Sequence, residues 1–70
     1  MKLYLEIEVD GSLFQVETEG FDTMELVSNA YIKEVDDTGD KLRGGRLTNF
    51  PTSVYDAVVE AIENEAMENG

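Results

Sequence analysis

Apolar and polar residues alternate strictly over residues 2–9. Leu3, Leu5, Ile7 and Val9 fall on one side, and Tyr4, Glu6 and Glu8 on the other. A period of two with β-branched and aromatic members is the signature of a half-buried strand. Asp10-Gly11 follows, a dipeptide suited to a type I′ turn. Residues 13–18 alternate again, with Phe14 and Val16 against Gln15 and Glu17. A two-residue loop pairs Val9 with Ser12. Ile7 then meets Phe14, Leu5 meets Val16, Glu6 meets Gln15, Glu8 meets Leu13 and Tyr4 meets Glu17. Both apolar sets land on one face, so turn chemistry and pattern predict the same hairpin.

Gly20 interrupts the pattern. Asp22-Thr23-Met24-Glu25 suits a capping box opening a single helical turn, and residues 22–29 suit an extended edge equally well. Ala30 to Val35 predicts a third strand. Asp36-Asp37-Thr38-Gly39-Asp40 predicts a turn, being rich in residues that tolerate special backbone angles. Leu42 to Thr48 predicts a fourth strand, and Gly44-Gly45 in its middle suggests a bulge. Asn49-Phe50-Pro51-Thr52-Ser53 marks a helix start, with Thr52 or Ser53 as cap. Val54, Val58, Ile62 and Ala66 then recur every fourth residue, with Tyr55 and Val59 beside them. That is one apolar stripe of about four turns. The expected fold is α+β: a small antiparallel sheet of three to four strands beginning with a β-hairpin, packed against one C-terminal amphipathic helix. The expected organisation is a single domain over residues 1–70.

Composition narrows the function. Sixteen acidic residues face five basic ones among 70, giving a net charge of -11, and there is no His, Cys or Trp. Zinc modules held by Cys or His and disulfide scaffolds are excluded. So are Cys nucleophiles and His general bases. A nucleic-acid binder needs a basic stripe, and Lys41, Arg43 and Arg46 are too few to supply one. A chain this short gains only ~3–5 kcal/mol from its core without staples, and self-repulsion lowers that further. A homodimer is expected on those grounds. Met1-Lys2-Leu3-Tyr4-Leu5-Glu6 places acid where a signal peptide is apolar. No apolar run approaches the ~18 residues of a membrane span. The expected location is the cytoplasm, with no membrane partner.

Acidic residues are therefore the candidate chemistry. The C-terminal helix carries Asp56, Glu60, Glu63, Glu65 and Glu68 and no base. A solvated face is the plain reading. Yet like charges four apart cost ~0.2–0.5 kcal/mol, and acids in a last turn oppose the helix dipole. The hairpin's outer face adds Glu6, Glu8 and Glu17, with Glu19 beyond. Edge protection accounts for one or two such charges better than for four. Tyr4 and Leu13 share that face, either singly or as part of a contact surface. Asp36, Asp37 and Asp40 do not match a calcium loop: Gly39 comes fourth rather than sixth, and Leu47 stands at the twelfth position. Arg43-Gly44-Gly45-Arg46 is a single RGG-like copy, better read as a bulged strand whose arginines pair with nearby acids. Ser12, Ser28 and Ser53 have no His or Cys partner. Paired carboxylates of the glycosidase kind would need more room for a sugar cleft. A non-enzymatic protein without cofactor or metal is expected.

The KLYLEIEVDG opening and the acidic SVYDAVVEAIENEA helix, in a chain of this length, resemble the small acidic host-takeover proteins of bacteriophages that imitate DNA. Among these the resemblance is greatest to the SPO1-type phage inhibitors of the bacterial nucleoid protein HU. It implies a homodimer whose acidic faces occupy the DNA-binding surface of HU. The residues expected to touch such a partner are Glu6, Glu8 and Glu17 on the sheet, Asp36, Asp37 and Asp40 in the loop, and Asp56, Glu60 and Glu63 on the helix. The alternative is a protein-interaction or assembly module whose charge serves only solubility, with Tyr4 and Leu13 making the contact.

Overall fold

Asp10 and Gly11 both adopt positive φ, 52° and 83°, as a type I′ turn requires. The turn joins β1 (Lys2–Val9) to β2 (Ser12–Glu19) in the computed structural model, which describes residues 1–69, with side chains to Met67. Every pair expected from turn and pattern is present, from Val9 with Ser12 to Tyr4 with Glu17. The rest of the chain forms α1 (Thr23–Ser28), β3 (Tyr31–Val35), β4 (Lys41–Arg46), a 3-10 turn (Leu47–Asn49) and α2 (Thr52–Asn69). The fold is α+β. Four antiparallel strands lie in sequence order, and the C-terminal helix packs against the sheet.

Residues 22–29, open between helix and strand, begin as a helix. The Asp22 carboxylate accepts from the Glu25 N–H at 2.9 Å, and Glu25 accepts from the Phe21 N–H at 3.1 Å. Asp22 thus caps the first turn, and Leu26, almost wholly buried, anchors the short helix to the core. The Thr18 hydroxyl, buried beneath it, donates to the Leu26 carbonyl. α1 is thereby tied to β2 by a satisfied buried polar group as well as by apolar contact.

Several boundaries differ from the expectation, the start of β4 at Lys41 rather than Leu42 among them. Ala30 stays outside β3, its N–H donating to the Val27 carbonyl at 3.3 Å to close α1. β4 stops at Arg46, because Leu47 turns into the 3-10 segment to reach the core. α2 starts at Thr52, with the Pro51 carbonyl accepting from the Val54 and Tyr55 N–H groups. Pro51 therefore holds the cap position assigned to Thr52 or Ser53.

The expected bulge is also elsewhere. Gly44 and Gly45 pair in register with Lys33 and Ile32, and the irregularity falls between Glu34 and Val35, where Leu42 is the extra residue of β4. The glycines are there for clearance. A Cβ on Gly44 would lie 2.7 Å from the Tyr31 hydroxyl, and one on Gly45 would lie 2.7 Å from the Asn49 amide nitrogen. Each glycine admits a neighbour on a different face of the sheet.

The core lies between the sheet's inner face and the helices. Val16, Ile32, Val58 and Ile62 are fully buried. Phe14 and Phe50 meet edge to face, centroids 5.9 Å apart, a favoured aromatic geometry. Burying Val54, Val58 and Ile62 contributes roughly 1.5–3 kcal/mol each. That sum is comparable with the whole net stability of ~4–10 kcal/mol expected for this length, so the fold depends on α2 staying docked. Leu3, Leu5, Ile7 and Val9 of the edge strand are only half-buried.

Candidate partner-binding surface

The net charge is unevenly distributed over the fold. All five basic residues, Lys2, Lys33, Lys41, Arg43 and Arg46, lie in strands. The strands also hold five acids: Glu6, Glu8, Glu17, Glu19 and Glu34. The strands are thus neutral as a set. The two hairpin turns carry four acids, Asp10, Asp36, Asp37 and Asp40, and no base. The helical segments and the α1 cap carry the other seven: Asp22, Glu25, Asp56, Glu60, Glu63, Glu65 and Glu68. The whole excess of eleven resides in turns and helices.

This distribution splits the nine residues expected to form one surface. Glu6, Glu8 and Glu17 are exposed on the outer face of the sheet, away from the helices. Strand pairing sets them in rows that also hold cations, two or three strands away: Tyr4, Glu17, Tyr31 and Arg46 share one row across the sheet, and Glu6, Gln15, Lys33 and Gly44 share the next. Glu8, Leu13, Val35 and Lys41 form the third. The outer face is acidic at β1–β2 and basic at β3–β4. Tyr4 and Arg46 also line an open concavity of about 870 Å³ at the end of the sheet near Gly20.

Asp56, Glu60 and Glu63 are exposed on α2. Spacings of four and three residues place them along one stripe, rising roughly 6 Å and 4.5 Å at 1.5 Å per residue. No acid occupies the first turn of α2 and no base its last, the reverse of what the helix dipole favours. Glu65 is half-buried, and the Glu68 side chain lies outside the described residues. α1 packs against α2 and brings Asp22 and Glu25 into the same helical layer.

The loop acids divide by role. One oxygen of Asp36 accepts from the Thr38 hydroxyl at 2.7 Å, the Thr38 N–H at 2.9 Å and the Asp40 N–H at 2.9 Å. The Thr38 hydroxyl first, then the Asp40 N–H, hold its carboxyl below the ordinary Asp value. Asp36 is the organiser of the β3–β4 turn, and Gly39 supplies the positive φ of 90° there. Asp37 and Asp40 are exposed beside it. Among the described residues, no group of three or more acids is arranged to hold a metal ion.

Arg43 is committed internally. It lies on the inner face, its Nε donating to Glu34 at 2.7 Å and its guanidinium 4.8 Å from the centre of the Phe50 ring. The expected pairing with an acid therefore holds for Arg43. Arg46 instead donates to the Asn29 carbonyl at 3.1 Å. Among the described residues, no helix is long and apolar enough to cross a membrane.

Comparison with protein-family models, with curated proteins and with solved structures gave no match to this chain.

Proposed function

We propose that the chain is a non-enzymatic acidic inhibitor that imitates DNA and occupies the DNA-binding surface of a basic host protein, with the nucleoid protein HU as the favoured target. The observation that carries this reading is the segregation of charge. A surface shaped only for solubility mixes signs, whereas the helical layer holds acids alone. Carboxylates roughly 5–6 Å apart on one helix face can engage Lys and Arg side chains that otherwise hold phosphates. Three acids over ~10 Å of α2 are sparser than duplex DNA, which presents a charge about every 1.7 Å. Asp22, Glu25 and the exposed turn acids Asp37 and Asp40 widen the array. The sheet acids Glu6, Glu8 and Glu17, balanced by the cations of β3 and β4 on the same face, take a smaller part than the helix. The chain acts without cofactor, does not itself bind DNA, and works in the cytoplasm, that of the bacterial host if a phage encodes it. This extends the resemblance to phage host-takeover proteins.

A second reading has its own support. Phe21 is 93% exposed and Met24 78% exposed at the start of α1, an apolar pair suited to a protein-interaction module. Binding to purified HU at low and high salt separates the two. Mimicry gives binding that fades as salt rises. Salt-independent binding lost on Phe21→Ser would favour the apolar contact instead.

A further inference from the structure

Among the described residues no element covers the outer face of the sheet, and its charges sum to little while the opposite layer is strongly acidic. We infer that this face is where two copies of the chain meet, stacked sheet on sheet about a two-fold axis parallel to the strands.

Such an axis lays β1 of one copy over β4 of the other, and β2 over β3. Rows then match at equal height. Glu8 faces Lys41 of the second copy, Tyr4 faces Arg46, Glu17 faces Tyr31 and Gln15 faces Lys33, while half-buried Leu13 lies over Val35, which its own chain already buries. Each contact occurs twice by symmetry. Acid meets base, and an aromatic face meets a guanidinium. Tyr4 is 55% exposed, Tyr31 37% and Lys41 exposed, so each has surface to lose. Gly44 leaves room for Tyr31 and Lys41 to lie over β4. The other in-plane axis, perpendicular to the strands, gives the wrong result. It stacks β1 on β1 and β3 on β3, setting Glu6 over Glu6 and Lys33 over Lys33. Complementarity selects one arrangement.

Strands of eight, eight, five and six residues, at ~4.8 Å spacing and ~3.3 Å per residue, cover roughly 430 Å² per copy. Two copies bury roughly 860 Å², the size of a weak, transient contact rather than of a stable interface. The dimer is therefore weak, its sheets ~10 Å apart. Both helical layers face outward, and the neutral seam keeps like charges apart. This inference does not rest on the identity of the target. A chain that stays monomeric would overturn it and leave competition for a DNA-binding partner to be judged separately.

Sedimentation equilibrium of the full chain from about 1 to 300 µM is the test, with circular dichroism to verify folding. The expected result is a reversible rise from 7.8 kDa toward twice that mass. Lys41→Glu sets acid against Glu8 twice over and should weaken association by roughly tenfold or more. Glu8→Lys with Lys41→Glu exchanges the two partners and should restore it to within about threefold. Ser53→Asp with Asn64→Asp adds the same charge as Lys41→Glu, but on α2, and should weaken association far less. A monomer at every concentration overturns the proposal. So does a dimer indifferent to Lys41→Glu, or one weakened equally by the α2 control, or one that the exchange does not restore.

Discussion

Neutralising the acidic stripe of α2 should stabilise the fold and weaken the protein's action together. Asp56 and Glu60 are four apart, Glu60 and Glu63 three apart, and all are exposed. Replacing Glu60 and Glu63 by Gln removes both like-charge pairs while keeping size and helix propensity. At ~0.2–0.5 kcal/mol per pair, the gain is roughly 0.4–1 kcal/mol. For a domain of this size that is a rise in Tm of about 2–8 °C. The gain should shrink in high salt, since exposed pairs are screened beyond ~3 Å at 1 M. Thermal melts followed by circular dichroism at low and high salt measure it. Competition with DNA for the target is measured on the same samples. Residues kept for a partner at a cost in stability give a more stable, less competitive variant. A variant that is less stable, or that competes as well as the parent, refutes the reasoning and returns the stripe to a plain solvated face.

Other outcomes follow from the packing and the turn. Ile62→Ala empties a fully buried site and should cost ~2–5 kcal/mol, much of the total, as urea denaturation would record. Arg43→Lys keeps the charge beside Glu34 but gives up the guanidinium over Phe50. A loss of about 0.5–1 kcal/mol is expected, read by the same denaturation. Asp36 has its carboxyl pKa lowered in the folded state. Its contribution is therefore present above the ordinary Asp value and lost as pH falls through the lowered one. Carboxyl NMR titration should show Asp36 protonating below the ordinary Asp value, and Asp36→Asn should abolish that part of the acid dependence.

The hairpin was legible because two independent signals agree there. Asp10-Gly11 fixes the loop length, alternation fixes the faces, and a slip of one residue would expose Phe14 and Val16. α2 was legible because its stripe is long. α1 was not, since six residues carry little periodicity, and its formation rests on the Asp22 cap and on Leu26 finding the core. The glycines of β4 misled because a bulge and a close approach use the same residue. The candidate surface was legible only in part. The sequence shows where the acids are, but their balance on the sheet depends on topology. β3 and β4 must fold alongside β1 and β2 before Lys33, Lys41 and Arg46 share a face with Glu6, Glu8 and Glu17. Asp36 drops out of the free surface for a local reason that spacing alone does not disclose, its three hydrogen bonds to one oxygen.

Displacement is the most direct measurement of the central claim. Labelled duplex DNA is bound to purified HU, and this protein is added in increasing amounts while the complexes are resolved by mobility shift. Imitation of DNA requires both ligands to use one basic surface. The account predicts progressive release of free DNA, less efficient as salt rises, with no shift of DNA by this protein alone. A slower ternary band, with DNA still bound as the protein joins the complex, would contradict it.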